Sequence, residues 1–228
     1  MKPPVHGRMM SRKDERTVRR KHTPNLAQGR NPVLDKVDEL TNKIAERQPE
    51  VRRAVKRPPW NNRCMAQVSM LFGEVGAGKT TLARQLEESG AVRLSLDEWT
   101  IAAGGSRVDA DWVVVEAMVA QIMRFWPQVI AAGTDAVLDL AFWNRADRDA
   151  VREAAGDVGA DVDLIWVRCD HGERRRRCIA RSADASDSYV IDSDGFDWIT
   201  ENRSIDQLGP DEDHRVLNTT VGPGGQIL

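Results

Sequence analysis

Gly73, Glu74, Val75, Gly76, Ala77, Gly78, Lys79 and Thr80 stand in the order G-x-x-x-x-G-K-T, followed by a second threonine, Thr81. This spacing suits one kind of chemistry. Glycines let a short loop turn successive backbone N–H groups inward around phosphate oxygens. The helix that follows aims its positive end at the same anion. Lys79 adds a mobile charge for the β- and γ-phosphates, and Thr80 a hydroxyl for Mg²⁺. The loop, Lys79 and Thr80 therefore form a candidate site for ATP with Mg²⁺. A loop of this kind holds a phosphate chain without saying whether it is hydrolysed, read as a signal or handed on.

Two carboxylates and a set of arginines bear on that choice. Asp97 follows a short apolar stretch, Ala91 to Leu96. A helix from Lys79 to Ser89 rises about 16 Å, and a strand back over Ala91 to Leu96 covers about 20 Å. The lengths nearly cancel, which returns Asp97 to the phosphate end. There it can take a proton from an attacking hydroxyl or order Mg²⁺ through water; a helix cap is the structural alternative. Asp139 ends the apolar run from Asp135 and has the placement of a metal-holding acid, or of an ordinary turn cap. Arg174, Arg177 and Arg181 fall at i, i+3 and i+7 of a basic helix beginning at His171. Phosphate is a fitting partner for three guanidiniums on one face; a solvated, nucleic-acid-binding or salt-bridged face is the alternative. Arg145 and Arg148 lie three apart on another helix, either reaching substrate or pairing with Asp147 and Asp149.

The elements needed to position these groups can be read in turn. Ala66–Phe72 is a buried parallel strand by its unbroken apolar run. Asp109–Ala131 reads as a long helix with Pro127 as a kink, and with Trp112 and Trp126 as core residues. Val162–Arg168 is a fourth strand, Gly195–Asn202 a short helix and His214–Thr219 a last strand. Residues 182–193, small and acidic, suit a loop that closes over substrate, so that 171–193 form an Arg-rich lid.

Composition divides the chain of 228 residues, 41% hydrophobic and 30% charged. Residues 1–63 hold 17 Lys+Arg against 7 Asp+Glu, a net of +10, while the remainder holds 16 against 28, a net of −12. The boundary is set at 64/65. Residues 1–64 form a basic arm, partly disordered for want of large apolar groups, with a helix near 33–47 after Asn31-Pro32. That arm is either a solvated tail or a nucleic-acid or membrane-surface tether; Met65 also offers an alternative start. Residues 65–228 form the phosphate-binding domain. Scattered cysteines, Cys64, Cys169 and Cys178, and no run of 18 apolar residues predict a cytoplasmic protein that does not enter a membrane.

The succession of strand, phosphate loop, helix, strand and Asp97, long helix, strand and Asp139, then an Arg-rich helix with R-x-x-x-R resembles the small P-loop kinases. It looks most like the group that includes chloramphenicol phosphotransferase and the kinase domain of polynucleotide 5′-kinase. The resemblance spans about residues 66–219. It implies an α/β fold with a parallel five-stranded sheet and helices on both faces. It also implies Asp97 as general base, and Arg177 and Arg181 as phosphate clamps, with Arg174 a further candidate. D-G-[FY]-P-R and a glycine triplet are both missing after the third strand, so adenylate kinase and shikimate kinase are disfavoured; GTPase effector-loop signatures are missing too. The expected activity is transfer of the γ-phosphate from ATP to a hydroxyl of a small molecule, nucleoside- or antibiotic-like. The alternatives are a polynucleotide 5′-hydroxyl kinase, with nucleic acid bound through the basic arm, and a non-catalytic ATP-binding regulatory module.

Overall fold

The computed structural model describes residues 65–104, 111–182 and 188–220. The basic arm, the helix expected near 33–47, the first residues of the expected 109–131 helix and the middle of the 182–193 loop lie outside them. In chain order the elements are β1 (Gln67–Phe72), α1 (Lys79–Glu88), β2 (Val92–Ser95), α2 (Leu96–Ala102), α3 (Trp112–Ala131), β3 (Ala136–Asp139), α4 (Arg145–Val158), β4 (Asp161–Arg168), α5 (His171–Ser182), α6 (Ser193–Asn202) and β5 (Arg215–Asn218).

All five strands pair in parallel, in the order β2-β3-β1-β4-β5. Alternation along β1 splits the core between two faces. Val68, Met70 and Phe72 pack with Ile122, Phe125, Trp126 and Val129 of α3 and Val151 and Ala155 of α4. Leu71 packs on the other side with Ala83 of α1, beside Val137 and Ile165. Both faces of the sheet are covered, which is why β1 and β3 read as unbroken apolar runs rather than alternating ones.

α3 supplies most of one face. Asp111 caps it, its carboxylate accepting from Val113 N at 3.0 Å. By length and composition it could cross a bilayer, but here Val114, Met118, Ile122, Phe125, Trp126, Val129 and Ile130 are buried within the domain. Pro127 sits inside this helix, which runs on to Ala131. Of the two tryptophans expected in the core, Trp126 is fully buried, whereas Trp112 is 49% exposed and lies under the Arg203 guanidinium.

Register brings the chemistry to one edge. Ser95 pairs level with Asp139, and Met70 of β1 with Leu138. The carboxyl ends of β1, β2 and β3 are therefore level, and the chain leaves them at Gly73, Asp97 and Asp139. In open parallel sheets ligands bind beyond these ends, where strand order reverses on either side of the first strand.

Candidate active site

The phosphate loop keeps its shape through two close approaches. Gly73 has φ of 147°, and a Cβ there would lie 2.4 Å from the Val167 carbonyl oxygen of β4. Gly76 has φ of 77°, and a Cβ there would meet the Arg174 carbonyl oxygen at 2.6 Å. The loop tip thus sits directly on α5. Both sites require glycine for space and for backbone conformation. α1 begins at Lys79, its first turn free of acidic residues, so the dipole end beneath the loop is uncompensated.

Lys79 Nζ donates to the Gly73 and Glu74 carbonyls at 2.9 and 2.8 Å. Trp143 Nε1 donates to the same Gly73 oxygen at 3.0 Å, from the β3–α4 connection. Burial pulls the Lys79 ammonium down to about 8, against the opposing pull of Asp139 and Asp97. An arriving phosphate would favour the charged form and raise it again. Thr80 Oγ1 donates to Asp139 Oδ1 at 3.3 Å. Thr81, one residue on, is exposed on the helix.

Asp97 is the second residue of α2, not its cap; Ser95 holds the cap position without a side-chain bond. The capping alternative is thereby set aside. Burial lifts the Asp97 carboxyl to about 6, with Asp139 adding and Arg181 and Lys79 opposing. Asp139 is also raised by burial, with Lys79 and Arg93 opposing. Two carboxylates, a lysine and Arg181 thus share one electrostatic environment at the sheet edge. This suits a base poised near neutrality beside a metal-holding acid.

A magnesium ion fits this donor set in a particular way. Among the described residues no cluster of three or more His, Cys, Asp or Glu is placed to hold a metal. The paired Thr80 hydroxyl and Asp139 carboxylate are a small oxygen set, of the kind Mg²⁺ uses when nucleotide phosphates and water complete its shell.

The arginines divide more sharply than their spacing indicated. Arg174 is buried; it pairs with Glu74 at 2.9 Å and donates to the Val75 carbonyl at 3.3 Å. It braces the loop from α5. Arg177 donates to Thr219 Oγ1 at 3.1 Å and to the Thr219 carbonyl at 2.6 Å, and pairs with Glu173 at 2.7 Å. Thr219 Oγ1 in turn donates to the Ala77 carbonyl at 2.7 Å. Arg177 therefore ties the end of β5 to the loop, 3.8 Å from where a Gly78 Cβ would be. Arg181 differs in what its charge meets: its Nε, like that of Arg174, is buried without an acceptor, but its charge acts on Lys79, Asp97 and Cys178 at the sheet edge.

Arg145 and Arg148 need correcting as substrate contacts. Arg145 is held by Asp211 at 3.0 Å and Asp149 at 3.2 Å on the surface. Arg148 is fully buried, its fork on Glu212 at 2.8 Å through both nitrogens and on the Phe142 carbonyl at 3.0 Å. Phe142 has a positive φ of 50°, a costly backbone state for a bulky residue. Arg148 helps to fix that bend, one residue before Trp143. Its part is to support the connection that touches Gly73.

Two further residues belong to the site. Arg93 of β2, with 8% of its side chain exposed, meets Glu87 at 2.9 Å, Glu98 at 2.6 Å and Asp139 at 3.4 Å. Tyr189, the single tyrosine, has its hydroxyl buried; burial and the Asp97 charge raise it. A charged residue inside an apolar strand was the available signal for Arg93. Tyr189 had none, because its neighbour Asp97 is remote in the chain.

A family model described as AAA domain matches residues 68–203. A search of curated proteins found no match. Among solved structures, a provisionally named kinase from Chloroflexus aurantiacus is similar at 14% identity, with a TM-score of 0.56, covering 68% of this chain and 89% of that one. A chain of the Pnkp1/Rnl/Hen1 RNA repair complex is similar at 16% identity and TM-score 0.51, over 62% of this chain and 45% of that one. A gluconokinase from Sinorhizobium meliloti, at 14% identity and TM-score 0.47, spans 71% and 86%. At these identities the likeness to the first two is one of fold.

Proposed function

The chain belongs to the AAA domain family matched over residues 68–203, and from that premise we propose that it is an ATP- and Mg²⁺-dependent kinase acting on a hydroxyl of a small molecule. The observation carrying this reading is the meeting of a phosphate loop and Lys79 with a half-buried carboxylate, Asp97, at one sheet edge. A module that only bound nucleotide would have no need of a base held near neutrality there.

In this mechanism the loop amides and Lys79 cradle the donor phosphates. Thr80 and Asp139 would hold the metal, which would offset charge on the transferring group. Asp97 accepts the proton of the acceptor hydroxyl as its oxygen attacks. Arg181 faces the developing charge, while Arg174 and Arg177 keep the loop in shape. Positioning and electrostatics supply most of the acceleration. The net charge of −12 over residues 64–228 favours a neutral or cationic acceptor, nucleoside- or antibiotic-like, over a polyanion.

The test is ADP release with Mg·ATP against a panel of nucleosides, aminoglycosides, other hydroxylated antibiotics and sugar acids. At least one acceptor should raise release above the rate with water, and Asp97→Asn should abolish the increase. Acceptor-dependent release untouched by Asp97→Asn would overturn the assignment of the base.

A second reading is a polynucleotide 5′-hydroxyl kinase, which the +10 charge of residues 1–63 favours. It requires 5′-hydroxyl oligonucleotides to be labelled from ATP, with affinity falling steeply with salt and lost on deletion of residues 1–64.

A further inference from the structure

Arg93 joins three elements of the site through one guanidinium. Its Nε meets Glu87 near the end of α1, one terminal nitrogen meets Glu98 of α2, and the other meets Asp139 Oδ2 at the end of β3. Thr80 holds the opposite oxygen, Asp139 Oδ1. The two oxygens of one carboxylate are thus divided: one toward the phosphate-loop helix, the other toward a buried cation behind it.

A carboxylate with 5% of its side chain exposed has little room to turn, but burial alone does not choose which oxygen faces the metal. The Arg93 fork does. We propose that Arg93 is a positioning residue for the metal: by holding Asp139 Oδ2 it leaves Oδ1 facing Thr80 Oγ1, where a magnesium ion would sit. This rests on the proposed metal role of Thr80 and Asp139. Outer partners of this kind orient a metal-binding carboxylate, and losing one typically weakens metal affinity about 10- to 100-fold. Arg93 also binds Glu98, the residue after Asp97. The same guanidinium therefore fixes the turn carrying the base relative to the acid carrying the metal. An arginine suits this better than a lysine because its planar fork can serve three carboxylates at set angles.

The experiment measures Mn²⁺ binding by electron paramagnetic resonance on the full chain saturated with AMPPNP. Affinity for metal-free ATP in EDTA and thermal unfolding in EDTA are read beside it. Arg93→Met should weaken Mn²⁺ binding about 10- to 100-fold and leave metal-free ATP affinity within about threefold, since Arg93 bonds to no loop residue. Arg93→Lys, which keeps the charge but not the fork, should fall between, and carries the test if Arg93→Met does not fold. Asp139→Asn separates the two readings. If Asp139→Asn weakens Mn²⁺ binding and the Arg93 variants do not, the positioning role is overturned and the metal site stands. If Arg93→Met weakens metal-free ATP binding as much as Mn²⁺ binding, Arg93 is structural only. If Asp139→Asn leaves Mn²⁺ binding unchanged, the metal site itself is wrong and the inference falls with it.

Discussion

Asp97→Asn should make the nucleotide-free protein more stable while removing its activity. In the folded chain Asp97 is raised from 3.8 to about 6, first by burial and then by the neighbouring Asp139 charge. The unfolded chain keeps the ordinary value. The folded state therefore holds its proton more tightly, and the sign follows. Below pH 3.8 both states are protonated and the group is neutral in its effect. Between 3.8 and 6 the unfolded chain ionises first, so stability falls as pH rises. Above 6 the full penalty is present. A difference of about 2 units is worth about 3 kcal/mol at 1.36 kcal/mol per unit. Asparagine avoids that penalty. It also eases the field on Asp139, which acts in the same direction, so the measured difference belongs to the pair. Urea unfolding in EDTA, followed by tryptophan fluorescence from pH 4 to 8, reads it out. The advantage of Asp97→Asn over wild type should be near zero at pH 4 and about 2–3 kcal/mol at pH 8. Glu173 and Glu212, both held below the usual range chiefly by hydrogen bonds from arginines, titrate alike in the two proteins and cancel in the difference. A difference that did not change with pH, or a variant less stable at pH 8, would refute the claim that a strained carboxylate sits at this edge.

Lys79, lowered to about 8 by burial, should take up a proton as phosphates arrive. Affinity for metal-free ATP should then fall by up to about tenfold per pH unit above 8, and calorimetry showing no pH dependence between 7.5 and 9.5 would contradict it. Gly76→Ala places a methyl 2.6 Å from the Arg174 carbonyl at a positive φ; it should lose ATP binding and about 1–3 kcal/mol of stability, by calorimetry and denaturant unfolding. Arg148→Met leaves Glu212 buried without its main partner and should cost about 3–5 kcal/mol. Arg145→Ala breaks only exposed pairs and should change stability by less than about 1 kcal/mol and leave acceptor-dependent ADP release at the wild-type rate. A large loss of that activity would restore Arg145 as a substrate contact.

Legibility followed the range of the interaction. The strand, loop and helix over residues 67–88 could be read directly because their constraints are local: glycine spacing, an apolar run, a helix start. Asp97 reached the phosphate edge by lengths that cancel, and the level pairing of Ser95 with Asp139 shows the same arithmetic at work in the sheet. Asp139 was legible as the end of an apolar run. For Arg145 the pairing with Asp149 was legible, four residues on, but its contact with Asp211 and that of Arg148 with Glu212 were not, since those acids lie more than 60 residues on. A helix face shows that an arginine needs an anion without showing which anion is near.

The arginines carry that point furthest. On sequence, Arg174, Arg177 and Arg181 form one equivalent face. In the fold, proximity to the phosphate loop gives two of them protein partners around it. The loop tip packs so closely on α5 that the Arg174 carbonyl excludes any side chain at Gly76, so its guanidinium finds Glu74 and Val75 before it can find a ligand. Arg177, a turn later, reaches Thr219 and through it the Ala77 carbonyl. Arg174 and Arg181 each bury an Nε without an acceptor. The terminal nitrogens of Arg174 are taken by Glu74 and Val75, whereas at Arg181, two turns on, the helix has run past the loop. A kinase needs both a rigid cradle and an uncommitted charge. In the proposed mechanism one helix supplies the two in sequence, its first turns holding the loop in shape and its last offering a charge to the transferring phosphate.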